Sequence, residues 1–281
     1  MTTLTLSQQA ERERDPSRQA VLRAMVIQEP FFRALPFLRI DESPEETDLA
    51  GDLATANFYT SESGWTTDTS TFTPTTWPTV IIGSENDYDG VHNDLVLQQM
   101  GRAIATAFMT QFVVGDTAVG GQEDRFDGVR KLVTLENTFE QAVNGGVPTL
   151  PLIDRVIYSI PQKPSALLMS WKTHLGVRQT RRVAGPTLET SSRQFGDDFV
   201  SYTDIPTYYS HVIPHDEVQG SSSVTTSIFG VRFGVGTGLV GIENGPLTYT
   251  FENGVHRVHW DVGIQSWDAN AISRLKGITT F

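Results

Sequence analysis

Apolar positions recur with a helical period in four stretches of the chain. After Asp15-Pro16, residues Val21, Leu22, Met25 and Val26 fall at near-helical spacing, and Pro30 ends the run. Asp caps a helix N-terminus, and Pro is tolerated in the first turn because its missing N–H has no helical partner there. Taken alone, this reads as an ordinary amphipathic core helix. From Val91 to Val114, Leu95, Met100, Ala103, Ile104, Ala107, Phe108 and Phe112 repeat close to helical spacing. Ala and Gln, both good helix formers, fill the gaps, and Gly115-Asp116 closes a helix about 24 residues and ~36 Å long. Pro148 to Ile160 predicts a helix with Leu152, Ile153, Val156 and Ile157 inward. Ser170 to Arg182 predicts another, ending in cations that complement the helix dipole.

Elsewhere the pattern turns to short apolar runs. Ala166 to Met169 predicts a buried strand, and Thr207–Ile213, Thr225–Phe233, Leu247–Phe251 and Val255–Ile264 predict further strands. Asn253-Gly254 is the strongest hairpin signal, and Ala271 to Thr279 reads as a closing strand. Met1 to Arg14 alternates polar and small residues and carries no predicted element. Phe31, Phe32, Leu35, Phe37 and Leu38 form a Pro-punctuated stretch, expected to lie across apolar surface of this chain or of a neighbour. No internal repeat is evident.

Residues 40 to 101 break both patterns. They hold twelve Asp or Glu and no Lys or Arg. Thr and Ser are dense from Thr60 to Thr79, with Trp65, Phe72 and Trp77 interspersed and Gly64, Pro74 and Pro78 as punctuation. The composition predicts a long polar two-stranded excursion with too few apolar residues for its own core. An isolated hairpin is marginal in water, so it should rest on something else. The alternative is a disordered acidic loop.

Composition narrows the classes. The chain has 281 residues, 38% hydrophobic and 19% charged, which suits a packed core. Its net charge is −12, so sequence-specific nucleic-acid binding is not expected, although a local patch could still touch nucleic acid. There is no cysteine, which excludes disulfides, cysteine-ligated metals and cysteine nucleophiles. No run reaches the ~18 apolar residues of a membrane span, and the N-terminus lacks a signal-peptide core.

Three chemical motifs are weighed and declined. Gly236-Thr237-Gly238-Leu239-Val240-Gly241 matches a dinucleotide fingerprint, with Asp261 beyond it. The fingerprint needs a helix to start inside it, and Glu243, Asn244, Gly245 and Pro246 forbid one. The region reads as a glycine-rich loop between strands. His211 and His215 flank Pro214, which breaks any helix that would align them, and Asp216 follows. His256 and His259 on a strand point to opposite faces, with Asp261 beyond them. No nucleophile elbow or phosphate-binding loop occurs. No catalytic, cofactor-binding or metal residue is therefore assigned.

The order of elements and certain phrases resemble the major capsid proteins of tailed bacteriophages, which have the Hong Kong 97-like fold. The phrases run from Asp15-Pro16 through Phe31-Phe32-Arg33-Ala34-Leu35-Pro36-Phe37, Thr71-Phe72-Thr73-Pro74, Phe112-Val113-Val114-Gly115-Asp116 and Phe126-Asp127-Gly128-Val129-Arg130-Lys131. They continue with Thr226 to Gly234, Trp260 to Ile264 and Ala271 to Ile278. Each phrase is weak alone, and their order carries the match.

The resemblance implies an α+β fold with an N-terminal arm (1–36), an extended loop (37–88), a peripheral domain with a long spine helix (89–125 and 244–264) and an axial domain (126–243 and 265–281). It implies a non-enzymatic shell subunit without cofactors, located in the virion and assembled in the bacterial host cytoplasm. Hexamers and pentamers would close an icosahedral head around double-stranded DNA. Other partners would be a portal and separate scaffolding or decoration proteins, with no membrane. About 15 residues precede Asp15, so a built-in scaffold segment is not expected. The alternative within the same fold is an encapsulin-like compartment shell.

Trp65, Phe72 and Trp77 are the candidate intersubunit residues. Arg178, Arg181 and Arg182 are candidates to hold a neighbour's acidic loop or to touch packaged DNA, the third reading being a solvated helix end. They belong to residues 155 to 193, which hold seven cations against one acid.

Overall fold

A computed structural model describes residues 3–40, 79–87, 93–119, 125–184, 191–194 and 197–279, with backbone alone at 181–184, 191–194 and 197–201. Residues 41–78, the greater part of the expected extended loop (37–88), lie outside the described residues together with the candidates Trp65, Phe72 and Trp77.

The chain opens with strand β1 (Thr3–Thr5), helix α1 (Leu6–Arg12) and helix α2 (Pro16–Gln28). A 3-10 turn (Pro30–Arg33), strand β2 (Pro36–Ile40), strand β3 (Thr79–Asn86) and the long helix α3 (Asn93–Val114) follow. Next come α4 (Val129–Leu132), β4 (Thr138–Glu140), α5 (Leu150–Tyr158), β5 (Ala166–Met169) and α6 (Trp171–Ala184). The remainder is strand: β6 (Ser191–Gln194), β7 (Asp197–Tyr202), β8 (Ile205–Tyr209), β9 (Glu217–Gln219), β10 (Ser222–Val231), β11 (Leu239–Asn244), β12 (Thr248–Glu252), β13 (Val255–Ser266) and β14 (Ile272–Thr279).

Helix α1 is an addition to the sequence reading. Thr5 and Gln8 form a reciprocal capping box: the Thr5 hydroxyl accepts from the Gln8 N–H and the Gln8 side chain accepts from the Thr5 N–H. Only Leu6 and Ala10 of this helix are buried, so its apolar period is too short to stand out. Helix α2 starts as expected. The Asp15 carboxylate accepts from the N–H groups of Ser17 and Arg18, and Pro16 occupies the first turn.

Among the described residues two mixed sheets carry the fold. The first has six strands in the order β1-β2-β11-β13-β12, with β3 pairing β13. The second has eight, in the order β4-β14-β10-β5-β8-β7-β6, with β9 pairing β10. The β12–β13 hairpin turns at Asn253 and Gly254, whose φ angles of 53° and 79° fit the primed turn that this dipeptide favours.

The region around Gly236 corrects the loop reading. A turn over residues 234–238 leads into β11, a strand paired in parallel with β2 and antiparallel with β13. The glycine at 241 has a packing reason: a Cβ there would meet the Phe37 ring at 2.3 Å. Gly241 thus lets an aromatic ring lie directly on the strand.

One core joins α2, the 3-10 turn, α3 and the inner faces of both sheets. Phe31, Phe32, Phe37, Phe108, Phe112, Phe126 and Trp260 are all fully buried in it. The Phe108 ring lies 5.1 Å from that of Trp260, and Phe31 lies 5.1 Å from Phe112. The Pro-punctuated aromatic stretch therefore covers this chain's own core. Helix α3 buries Leu97, Met100, Gly101, Ile104, Ala105, Phe108 and Phe112. Its inward stripe differs from the expected one, because Leu95, Ala103 and Ala107 face outward. The stripe turns where α2 crosses: a Cβ on Gly101 would meet the Val21 carbonyl oxygen at 2.7 Å.

A second core packs α5 and α6 on the far face of the second sheet, with Ile153, Val156, Ile157, Val177, Ile228 and Leu275. Strand β5 serves both cores. Ala166 and Leu168 face the first, Leu167 and Met169 the second. Burial on both faces accounts for its unbroken apolar run.

Candidate functional site

The sequence candidates that can be placed lie on α6. Arg178 is half-buried and lines a small cavity with Ile153, Leu167, Met169, His174, Tyr202 and Thr207, between that helix and the second sheet. Arg181 and Arg182 fall in the last turn of α6, and their side chains lie outside the described residues. The Trp171 ring packs edge-on against Tyr209 at 4.8 Å, and His174 stacks on Tyr209. Trp171, Leu175 and Tyr209 remain about half exposed, leaving an aromatic patch at the start of this helix.

The four weighed histidines occupy separate places. His256 is fully buried and its Nδ1 lies 2.9 Å from the Tyr249 hydroxyl, while His259, on the opposite face of β13, is exposed. His211 Nδ1 lies 3.2 Å from Glu29 Oε1. His215 is half-buried, and burial pushes its pKa down. Among the described residues no group of three or more His, Asp or Glu is arranged to hold a metal ion. A strand, not a helix, follows the Gly236–Gly241 pattern, so the phosphate-binding helix N-terminus that a dinucleotide needs is not formed there.

The buried charges tie segments together. Glu243 on β11 is 1% exposed. Its carboxylate accepts from Gln9 Nε2 of α1 at 2.8 Å and from Trp260 Nε1 of β13 at 2.9 Å, with the Arg39 guanidinium of β2 at 3.7 Å. Burial raises its pKa, and these donors partly offset the rise. In the second sheet, Glu217 of β9 accepts from Ser227 of β10 and from Arg274 of β14, and the Arg274 Nε also donates to Ser227. Burial lowers the Arg274 pKa, while Glu217 opposes that shift. Arg232 donates to Asp268 and to the Pro161 carbonyl. Most polar atoms of these groups are paired, while Glu217 Oε1 and Arg232 Nε are buried without a hydrogen-bond partner.

Several large apolar side chains remain exposed. Leu135 is 92% exposed, and Val143 and Val218 are each 76% exposed. Val218 and Val224 sit on the β9–β10 hairpin. Val143 sits on the loop against it, where its carbonyl lies 2.3 Å from a Cβ placed on Gly220 and the Asn144 side chain accepts from the Ser221 N–H. Ile27, Ile81 and Tyr158 are each at least two-thirds exposed. Scattered apolar residues are normal on a monomer, but grouped ones mark surfaces that a partner covers.

No family model and no curated protein matches the chain. Solved structures do match it over most of its length. The capsid of an empty GTA particle is 16% identical, covers 90% of each chain and superposes with a TM-score of 0.60. The procapsid of a satellite phage is 10% identical, covers 93% of this chain and 90% of that one, and gives 0.53. The holo-SrpI encapsulin complex from Synechococcus elongatus is 14% identical, covers 72% of this chain and 74% of that one, and gives 0.54. The chain has the Hong Kong 97-like fold. Within the Hong Kong 97-like fold the α+β character expected from sequence holds, with α3 as its longest helix.

Proposed function

We propose that this chain is the major capsid protein of a tailed phage, a non-enzymatic subunit that closes as hexamers and pentamers into an icosahedral head around double-stranded DNA. The observation that carries the proposal is the match to shell-forming chains over nine-tenths of the sequence at both ends of the comparison. The grouped apolar residues on the β9–β10 hairpin support it, because assembly would cover them. In this reading residues 1–36 form the arm, 37–88 the extended loop, 89–125 and 244–264 the peripheral domain, and 126–243 with 265–281 the axial domain. Self-association is the principal partnership; a portal, a scaffold and packaged DNA complete the list.

The second reading, an encapsulin-like compartment shell, is favoured by the likeness to the SrpI complex. Electron microscopy of particles from expressing cells separates the two. Shells with both hexamers and pentamers, and of roughly the size a genome requires, support the phage reading. Shells filled with one co-expressed enzyme favour the compartment. A small discrete oligomer overturns both. Deleting residues 55–80 should leave a folded chain that makes no stable shells; normal heat-stable shells from that deletion would overturn the part assigned to the extended loop.

A further inference from the structure

The segment from Arg12 to Arg39 is a basic island in an acidic protein. It holds six arginines and three carboxylates, whereas the whole chain carries −12. The three carboxylates are committed locally. Glu13 accepts from the N–H groups of Arg14 and Asp15, Asp15 caps α2, and Glu29 is buried at 1% exposure. Arg12, Arg14 and Arg39 are exposed, and the guanidiniums of Arg12 and Arg14 have no hydrogen-bond or ion-pair partner among the described residues.

These three arginines line one groove of about 280 Å³, between α1, the end of β2 and the turn that enters β12. Leu4, Leu22 and Leu247 supply an apolar wall. The groove is held in shape by Glu243, which grips Gln9 and lies 3.7 Å from Arg39. Glu13 also lines this groove, with its Oε1 accepting from the N–H groups of Arg14 and Asp15; Glu11, the one acid within α1, lines a different groove with Arg23.

The geometry points to a binding site for the phosphodiester backbone of nucleic acid, with phosphates on Arg12, Arg14 and Arg39 and the sugar or base edge against Leu4, Leu22 and Leu247. Guanidiniums suit phosphate because their planar fork matches two phosphate oxygens at once. Several cations beside an apolar wall fit a repeating phosphate–sugar chain better than a lone anion. Contacts of this kind hold the backbone and read no sequence. The site differs from the α6 arginines that the sequence singled out. It rests on the proposed shell reading only for the source of the nucleic acid.

The test uses the full chain as unassembled subunits, cleared of shells by centrifugation. Fluorescence anisotropy follows binding of a mixed-sequence single-stranded oligonucleotide of about 12 nucleotides as salt is varied. Removing two phosphate contacts in the Arg12→Ala/Arg14→Ala variant should weaken binding and lower the slope of log K against log salt by about 1.4, at ~0.7 per contact. Arg257→Ala, which removes an equal charge per site from a guanidinium already paired with Glu85 at 2.8 Å, should leave the slope unchanged. Unchanged binding in the double variant overturns the proposal, and so does an equal loss per charge in Arg257→Ala. Inorganic phosphate and a peptide of the acidic residues 41–53 serve as competitors. Displacement by either as effectively as by unlabelled oligonucleotide would assign the groove to a free anion or to a carboxylate segment instead. The assay needs no shell, so a failure here and a failure to assemble are read separately. Thermal melts of both variants matching wild type confirm that the fold is kept.

Discussion

Replacing Glu29 by Gln tests how a buried carboxyl couples the end of α2 to the segment that follows β8. Glu29 ends α2: its N–H donates to the Met25 carbonyl and its own carbonyl accepts from the Phe32 N–H. Pro30 then forces the chain into the 3-10 turn, and the side chain is carried inward to 1% exposure beside Ser210 and His211. Burial raises its pKa from 4.5 to about 7, and the Ser210 hydrogen bond offsets part of that rise. Folded Glu29 therefore binds its proton more tightly than the unfolded chain does. Its stability contribution is complete below pH 4.5 and is lost as pH rises through about 7.

At 1.36 kcal/mol per unit, a rise of that size corresponds to ~3 kcal/mol of pH-dependent stability. Gln keeps the shape and cannot ionise. Glu29→Gln should therefore gain on wild type by ~3 kcal/mol between acid and mildly alkaline pH, or about 6 °C in melting temperature at about 2 °C per kcal/mol. Thermal melts of the unassembled chain, followed by circular dichroism across that range, measure the gap. Glu243 is also shifted upward, so wild type alone would slope from more than one source; the difference between variant and wild type isolates Glu29. His211 Nδ1 stands 3.2 Å away, but its side chain is 57% exposed, so solvent screens its interaction with Glu29. Melting curves of Glu29→Gln and wild type that run parallel across the pH range would refute the argument.

Other expectations follow from single contacts. Boiled shells should run as a 31 kDa monomer on a denaturing gel, because an amide link from the segment 37–88 to a neighbour's side chain would need a lysine amine, and the four lysines, Lys131, Lys163, Lys172 and Lys276, all lie outside that segment; a ladder of linked subunits would contradict this. Gly101→Val should lower stability by ~1–3 kcal/mol or more in urea unfolding, since its Cβ would press on the Val21 backbone where α2 crosses α3; an unchanged midpoint would show that the helices can part. Glu243→Ala should cost ~1–3 kcal/mol by leaving the buried Trp260 N–H and the Gln9 amide without their acceptor, read as a lower melting temperature and faster proteolysis near Arg12 and Arg14.

Elements with a complete local signal were legible from sequence. The Asp15-Pro16 start of α2 and the Asn253-Gly254 hairpin each depend on neighbouring residues alone. Strand β11 was not legible, because Gly241 looks like loop punctuation until Phe37, 204 positions earlier, is seen lying on it. Helix α1 carried a local signal in its capping box, but two buried positions gave it no visible period. The outward faces of Leu95, Ala103 and Ala107 on α3 show the same limit: apolar spacing predicts a helix, while the crossing partner sets which side turns inward.

The candidate groove shows why chemistry was harder to read than fold. Arg12, Arg14 and Arg39 are ordinary surface cations in a linear reading, and the cation count pointed instead to residues 155–193. What distinguishes the first three is a long-range event. Glu243 crosses 234 positions to hold Gln9, which draws α1 against β2 and sets its arginines around an apolar wall. A carboxylate in that position does two things at once. It spends its own charge on buried donors, and it leaves the nearby guanidiniums of Arg12 and Arg14 facing outward without partners. The same acidic residue that a charge count sets against nucleic acid thus helps gather three arginines around one groove. Net charge therefore bounds the affinity of the whole chain for polyanions, while the placement of single buried acids decides where on the chain a polyanion can sit.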